Sequence, residues 1–296
     1  MKRRTTLAAA ALSIVLATGA ITGCGGQSGS APDGTKATQE QASDAIESSD
    51  LSLEELAQEI KAGIANLPQQ QSLTIPSESV SKYTGTDSPD PTTDEMSETD
   101  VYKFDMSGGT LRSTSEYTMS GVTMKYYTDG DRVVCITDGP AYGGSADEFM
   151  LTQSDGYLAL IDETFGDLST VVDCATSIEK TLEMGQSVYS LELDAQKYIN
   201  SDEILSIMSD SGSPVISASY VIAFDADGNY SKISNTVDYG TSTSTKTFVF
   251  SDFGTTTVDK MPEATKTYAD MQADMQAKIE ELLASSASTG VETEAE

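Results

Sequence analysis

The spacing of apolar positions changes period several times along this 296-residue chain, and each change marks an element. Lys2, Arg3 and Arg4 precede a mostly apolar run from Leu7 to Ile21. That run is shorter than the ~20 residues a membrane span requires, and small residues lead from it to Cys24, which is the layout of a secretory leader. From Leu53 the period becomes helical: Leu53, Leu56, Ile60, Ile64 and Leu67 recur at steps of three and four, Ser52 and Glu55 have capping-box spacing, and Pro68 ends the run. From residue 72 the period is two. Ser72 to Tyr83 predicts a strand, and the acidic, proline-containing stretch from Thr84 to Thr99 predicts a loop.

Two hairpins follow. Tyr102, Phe104 and Met106 share a face, Ser107-Gly108-Gly109 turns the chain, and Leu111, Ser113, Ser115, Tyr117 and Met119 share the next face. Val122, Met124 and Tyr126 then lead to a turn at Asp129-Gly130, and Arg132 to Thr137 returns. Residues 147 to 168 predict one or two short helices, Thr170 to Lys180 a strand, Val188 to Asp194 another, and Asp202 to Met208 a short helix. After Pro214, Ile216, Ala218, Tyr220, Ile222 and Phe224 line one strand face, Asp227-Gly228 turns, Ile233, Val237 and Tyr239 line the next strand, and Phe248 and Phe250 a third. Pro262 stops the strands. Tyr268, Met271, Met275, Ile279 and Leu282 then mark a last helix before an acidic tail.

Helices at both ends of eight to ten antiparallel strands predict an α+β fold. A sheet of that size twists and curls, so the expectation is a curved antiparallel half-barrel with helices packed on its concave face. The expected divisions are a leader at 1–23, Cys24 and a tether at 24–50, the α+β domain at 51–263, a C-terminal helix at 264–284 and a disordered acidic tail at 285–296. The tether is rich in Gly, Ser, Ala and Gln, and as a flexible coil it would hold the domain about 25 to 30 Å from its anchor.

Composition narrows the chemistry. The chain has 17 Lys and Arg against 47 Asp and Glu, a formal net charge of −30, which excludes nucleic acid as a partner because phosphate must be neutralised by cations. Histidine is absent, which removes Ser-His-Asp and Cys-His catalysis and the commonest zinc sites. Asp225-Ala226-Asp227-Gly228-Asn229 resembles the start of a calcium loop, but Tyr230 stands where that loop needs Gly and Thr236 where it needs Glu, so it reads as a turn. Ser79-Val80-Ser81-Lys82 and Ser177-Ile178-Glu179-Lys180 have Ser-x-x-Lys spacing without the partner motifs of that chemistry. No catalytic residue, metal ligand or cofactor is expected. Cys135 and Cys174 are an even pair in an exported chain, and they read either as a disulfide or as two buried thiols.

Two resemblances bear on function. Ile21-Thr22-Gly23-Cys24, behind a basic start and an apolar core, resembles the lipobox of bacterial lipoproteins. This implies cleavage before Cys24, acylation of its thiol, and a lipid anchor in the cell membrane on its extracytoplasmic face, which two or more acyl chains hold firmly. Further on, the order of helix, meander, mid-chain helices and final strands, with residues 217–239 and 245–254 ahead of a proline, is similar in pattern to extracytoplasmic lipoproteins of the LolA and LppX/LprG kind. That resemblance implies a half-barrel with a cavity for acyl chains and non-covalent binding of a lipid or other apolar ligand for transport or sensing, not enzymatic turnover. The candidate lining is Phe104, Met106, Met124, Tyr126, Tyr220, Ile222, Phe224, Phe248 and Phe250, since Met and aromatic side chains suit pliable apolar surfaces. The same residues also read as an ordinary closed core, in which case the domain is an interaction or structural module that engages another protein of the envelope.

Overall fold

A computed structural model describes residues 51–83, 95–119, 122–137, 139–151, 155–201 and 214–289. The leader, Cys24, the tether, the helix expected at Asp202 to Met208, residues 84–94 of the acidic loop and the tail beyond Thr289 lie outside these residues. Every described element falls within one compact unit, Glu47–Glu296.

The chain opens with helix α1 (Leu53–Ala65), whose capping box is formed: the Glu55 amide donates to Ser52 Oγ at 3.3 Å and the Ser52 amide donates to the Glu55 carboxylate at 2.8 Å. Leu56 and Ile60 are its buried face. Six strands then form a meander: β1 (Ser72–Tyr83), β2 (Glu95–Asp105), β3 (Arg112–Met119), β4 (Val122–Asp129), β5 (Arg132–Ile136) and β6 (Ala141–Ser145). Three helices follow, α2 (Ala146–Phe149), α3 (Tyr157–Phe165) and α4 (Leu168–Asp173). A second meander comprises β7 (Ala175–Glu183), β8 (Gln186–Leu193), β9 (Ser217–Phe224), β10 (Tyr230–Asp238) and β11 (Ser242–Val249), with α5 (Ala195–Ser201) between β8 and β9. A two-residue strand, β12 (Lys266–Thr267), and helix α6 (Tyr268–Thr289) end the described chain.

The strand order is β12-β6-β5-β4-β3-β2-β1-β11-β10-β9-β8-β7. All neighbours are antiparallel except β12 and β6. The two meanders join where β1 pairs with β11, and the result is an open, curved twelve-stranded sheet with helices on its concave face, the α+β half-barrel expected. This topology explains why the helices lie where they do. The chain leaves β6 near one edge of the sheet and must enter β7 at the other, so α2, α3 and α4 are laid across the concave face on the way.

A second crossing uses the convex face. Ser251 still pairs with β1, residues 253–255 turn, and the chain then runs without regular structure to β6 and forms a strap. Ser251 and Thr74 exchange backbone hydrogen bonds at 2.9 Å, Lys125 Nζ meets the Asp259 carboxylate at 3.1 Å, and the Thr265 amide donates to the Ala141 carbonyl at 2.8 Å. Gly143 is required under the strap, because an ideal β-carbon there would stand 2.6 Å from Ala264 Cβ. Gly63 of α1 serves the other face in the same way, with Phe224 Cζ 2.9 Å from its ideal β-carbon.

Three local expectations are corrected, and one segment that had no reading is assigned. Residues 95–99 belong to β2 and not to a loop, because Lys82 to Glu78 of β1 pair with Glu95 to Thr99, and Lys82 meets Glu95 at 3.1 Å. Residues 170–173 are helical: the Asp167 carboxylate accepts from the Ser169 amide as a cap, and Leu168, Val171 and Val172 are all buried in the helix that follows. Ala141–Ser145 is a strand that its two glycines disguise. Ser285 to Thr289 continue α6, whose interior lacks Gly and Pro until Gly290, so helix propensity carries it past the expected start of the tail.

Candidate functional site

The concave face divides into two apolar clusters. The larger gathers β1, β2 and β7 to β11 beneath α1, α3, α4 and α5. The smaller holds Val133, Cys135, Tyr142, Ala146 and Phe149, with Tyr126, Leu151, Tyr268 and Met271 packed against it.

Six of the nine candidate lining residues belong to the larger cluster: Phe104, Tyr220, Ile222, Phe224, Phe248 and Phe250. Ile222 and Phe248 are 0% exposed. The phenylalanine rings among them face other rings: Phe248 meets Phe165 with centroids 4.9 Å apart, and Tyr230 stacks on Phe224 at 5.3 Å and lies 5.6 Å from Phe250. The polar end of Tyr220 is satisfied inside, donating to the Phe165 carbonyl at 2.9 Å and meeting the Tyr198 hydroxyl at 2.9 Å. These six are buried packing residues of the larger cluster. Met106 lies past the end of β2 and is 48% exposed, outside the buried core.

Met124 and Tyr126 stand apart from them. Both lie on the concave side of β4 and are half-buried, and Tyr117 on β3 is half-buried beside them. Here a row of rings crosses the gap between the clusters: Tyr102 to Tyr117 at 5.7 Å, Tyr117 to Tyr126 at 5.7 Å, Tyr126 to Phe149 at 6.0 Å, and Phe149 to Tyr268 of α6 at 4.8 Å. The floor beneath is made of small side chains, Ser113, Ser115 and Thr128, each at most 3% exposed. Ser113 pairs with Thr128 across the ladder, and their hydroxyls have no partner among the described residues.

The electrostatics of this tract favour uncharged matter. Burial pushes the Tyr102, Tyr117 and Tyr126 hydroxyls up from the usual phenol value, so all three stay neutral at ordinary pH. The Asp100 and Glu163 carboxylates lie near Tyr102 and Tyr117, and Asp100 is held by Lys246 Nζ at 3.0 Å. A second negative charge would be opposed there. Nothing in the tract forms a nucleophile with its base, and no group of three or more acidic or Cys side chains suited to a metal ion occurs among the described residues.

Cys135 and Cys174 are free, so the disulfide expected as one of two readings is not formed. Cys135 lies in the smaller cluster and Cys174 in the larger, where its thiol donates to the Thr170 carbonyl at 3.4 Å. Burial pushes both thiols up, which favours their protonated form.

The tyrosine row was only partly legible beforehand. Its signal is the face Leu111, Ser113, Ser115, Tyr117, where small polar residues occupy positions that a filled core would give to Leu or Ile. Phe149 and Tyr268 reach the row from helices remote in sequence, and no local pattern announces that.

No protein-family model matches the chain, and no curated protein does. Solved structures with a similar arrangement include the lipoprotein LppX of Mycobacterium tuberculosis, at 12% identity and TM-score 0.41 over 71% of this chain and 100% of that one. LprF of Mycobacterium bovis is similar at 12% identity and TM-score 0.41, over 72% of this chain and 97% of that one. A domain ascribed to outer membrane lipoprotein sorting in Vibrio parahaemolyticus is similar at 8% identity and TM-score 0.27, over 70% and 96% of the two chains.

Proposed function

We propose that this chain is a lipoprotein anchored through acylated Cys24 at the extracytoplasmic face of the cell membrane. Its domain binds a lipid or other apolar molecule without covalent chemistry, for transport or sensing. The ligand lies on the concave face of β3 and β4, between the two clusters. One observation carries this reading: Tyr117 and Tyr126 are half-buried in an aromatic row beside half-buried Met124, over a floor of small side chains, while Phe104, Tyr220, Ile222, Phe224, Phe248 and Phe250 are buried. Removing apolar area from water contributes about 25 cal/mol per Å², so a long acyl chain supplies ample affinity without any polar motif. Acylated Cys24, freed by removal of the leader, supplies the anchor.

The test is native mass spectrometry with organic extraction on residues 47–296 produced in a host with ordinary phospholipids. A stoichiometric apolar adduct, lost when Ser115→Leu fills the floor under the tyrosines, is the expected result. A clean mass for the unsubstituted protein, with no uptake of a fluorescent acyl probe, overturns the reading.

A second reading is favoured by the burial of Phe104, Tyr220, Ile222, Phe224, Phe248 and Phe250. In it the domain is a closed module that engages another envelope protein. Capture of a defined partner by an adduct-free domain would establish it in place of the first.

A further inference from the structure

The convex face carries a cleft of about 530 Å³ between the strap and strands β3 to β5. Arg112 and Arg132 stand on its strand side and Lys260 on its strap side. Beyond Arg4 the chain has no other arginine, so a protein of net charge −30 places both of its domain guanidinium groups in one cleft. The ladder brings them together: Asp129 pairs with Arg112 on one side and with Arg132 on the other, which puts all three on the convex face. Arg112 is already engaged by the buried carboxylate of Asp105. Arg132 and Lys260 are exposed and make no ion pair among the described residues.

We propose that this cleft binds a single phosphate group, held by Arg132 and Lys260 with Arg112 behind them. Guanidinium groups match phosphate oxygens with paired N–H donors, and cations reaching in from the strands and from the strap suit a tetrahedral anion better than a planar carboxylate. Asp129 and Glu263 also line the cleft, as does Asp259, which Lys125 holds. Their charge turns away polyanions and limits the ligand to one phosphate. The uncharged remainder of the ligand lies on Tyr127, Met261 and Pro262, which are half-buried. The site is on the opposite face of the sheet from the tyrosine row, so neither depends on the other.

A phosphate of this kind comes either from a lipid head group or from a soluble phosphate ester. Residues 47–296 contain only Arg112 and Arg132 as arginines, so arginine-labelled protein gives two Nε–H signals to follow by NMR. Titration with sn-glycerol 3-phosphate is expected to shift both signals saturably. Arg132→Gln and Lys260→Gln, which alter exposed side chains and leave Tm unchanged, are each expected to weaken binding about tenfold. Shifts with phosphatidylglycerol vesicles and not with phosphatidylcholine vesicles identify a lipid head group; shifts with sn-glycerol 3-phosphate alone identify a soluble ester. Signals that stay still with every probe, or shifts that survive both substitutions unchanged, overturn the proposal.

Discussion

The two meanders of this sheet are covered differently. Strands β7 to β11, with β1 and β2, lie under four helices and share a continuous core from Leu56 to Phe250. Among the described residues, strands β4 to β6 have only the single turn of α2 and the start of α6 on one side, and the strap on the other. The difference follows from connectivity. One long crossing from β6 to β7 lays its helices mainly over the far half, and the near half is closed afterwards by the last part of the chain to be made. The seam between the two is the β3–β4 tract, where half-covered tyrosines bridge clusters that do not merge.

The strongest way to break this comparison is to remove one large ring from each half. Phe248→Ala empties a position that is 0% exposed and in contact with Tyr102, Phe165 and Phe250, and is expected to cost about 4 to 5 kcal/mol in urea denaturation. Phe149→Ala lies in the thinner cluster, where neighbours can relax inward, and the expected cost is about 3 kcal/mol with an unchanged m-value. Equal costs would mean that the two halves are one core after all.

The strap gives a sharper test. Gly143→Ala forces a β-carbon against Ala264, and overpacking of this kind costs about 1 to 3 kcal/mol. Hydrogen exchange at the Thr265 amide, which is bonded to the Ala141 carbonyl, should accelerate while that of β9 and β10 is unchanged. If amides of β9 and β10 accelerate equally, the strap is integral to the whole sheet and the division fails.

The smallest expected effect is at the β2–β3 turn. The Asp105 carboxylate accepts from the Ser107 hydroxyl at 2.6 Å and from its amide at 2.9 Å, and Arg112 lies against it. The Ser107 hydroxyl, then the Ser107 amide and the Arg112 charge, hold the Asp105 carboxyl below the usual Asp value of 3.8. A folded pKa below the unfolded one contributes stability that is present above pH 3.8 and is lost as pH falls through the folded value. Asp105→Asn is expected to cost about 1 kcal/mol at neutral pH and to flatten the acid limb of the stability profile. An acid limb unchanged by the substitution would show that Asp105 does not couple the turn to folding.

Periodicity made much of the architecture legible. The α1 cap, the β1 boundaries and the concave face of β9 are local consequences of Ser52 with Glu55, of alternation from Ser72, and of Ala218, Tyr220, Ile222 and Phe224. Two segments that periodicity did not announce share one cause. Glu95 to Thr99 have no apolar alternation and are strand because β1 is long enough to pair with them, and Ala141 to Ser145 are strand because β5 lies alongside. Pairing energy from a distant segment overrides weak local preference.

The candidate site shows the same limit. Phe248 and Tyr126 both sit on the inward face of a strand, and nothing local distinguishes them. One is sealed by α3 and the other is half-covered at the seam, and that depends on where the β6-to-β7 crossing sets its helices.

By itself the sequence determined the inward faces of β3, β4, β9, β10 and β11, the α1 cap, the absence of histidine chemistry and the anchor-like start, because these rest on composition and on neighbours within a few residues. Only the tertiary structure decided which inward faces are filled, that Cys135 and Cys174 lie in separate clusters, and that Arg112 and Arg132 meet Lys260 across a strap. Those outcomes depend on contacts between segments far apart in the chain, and no periodicity encodes how closely such segments pack.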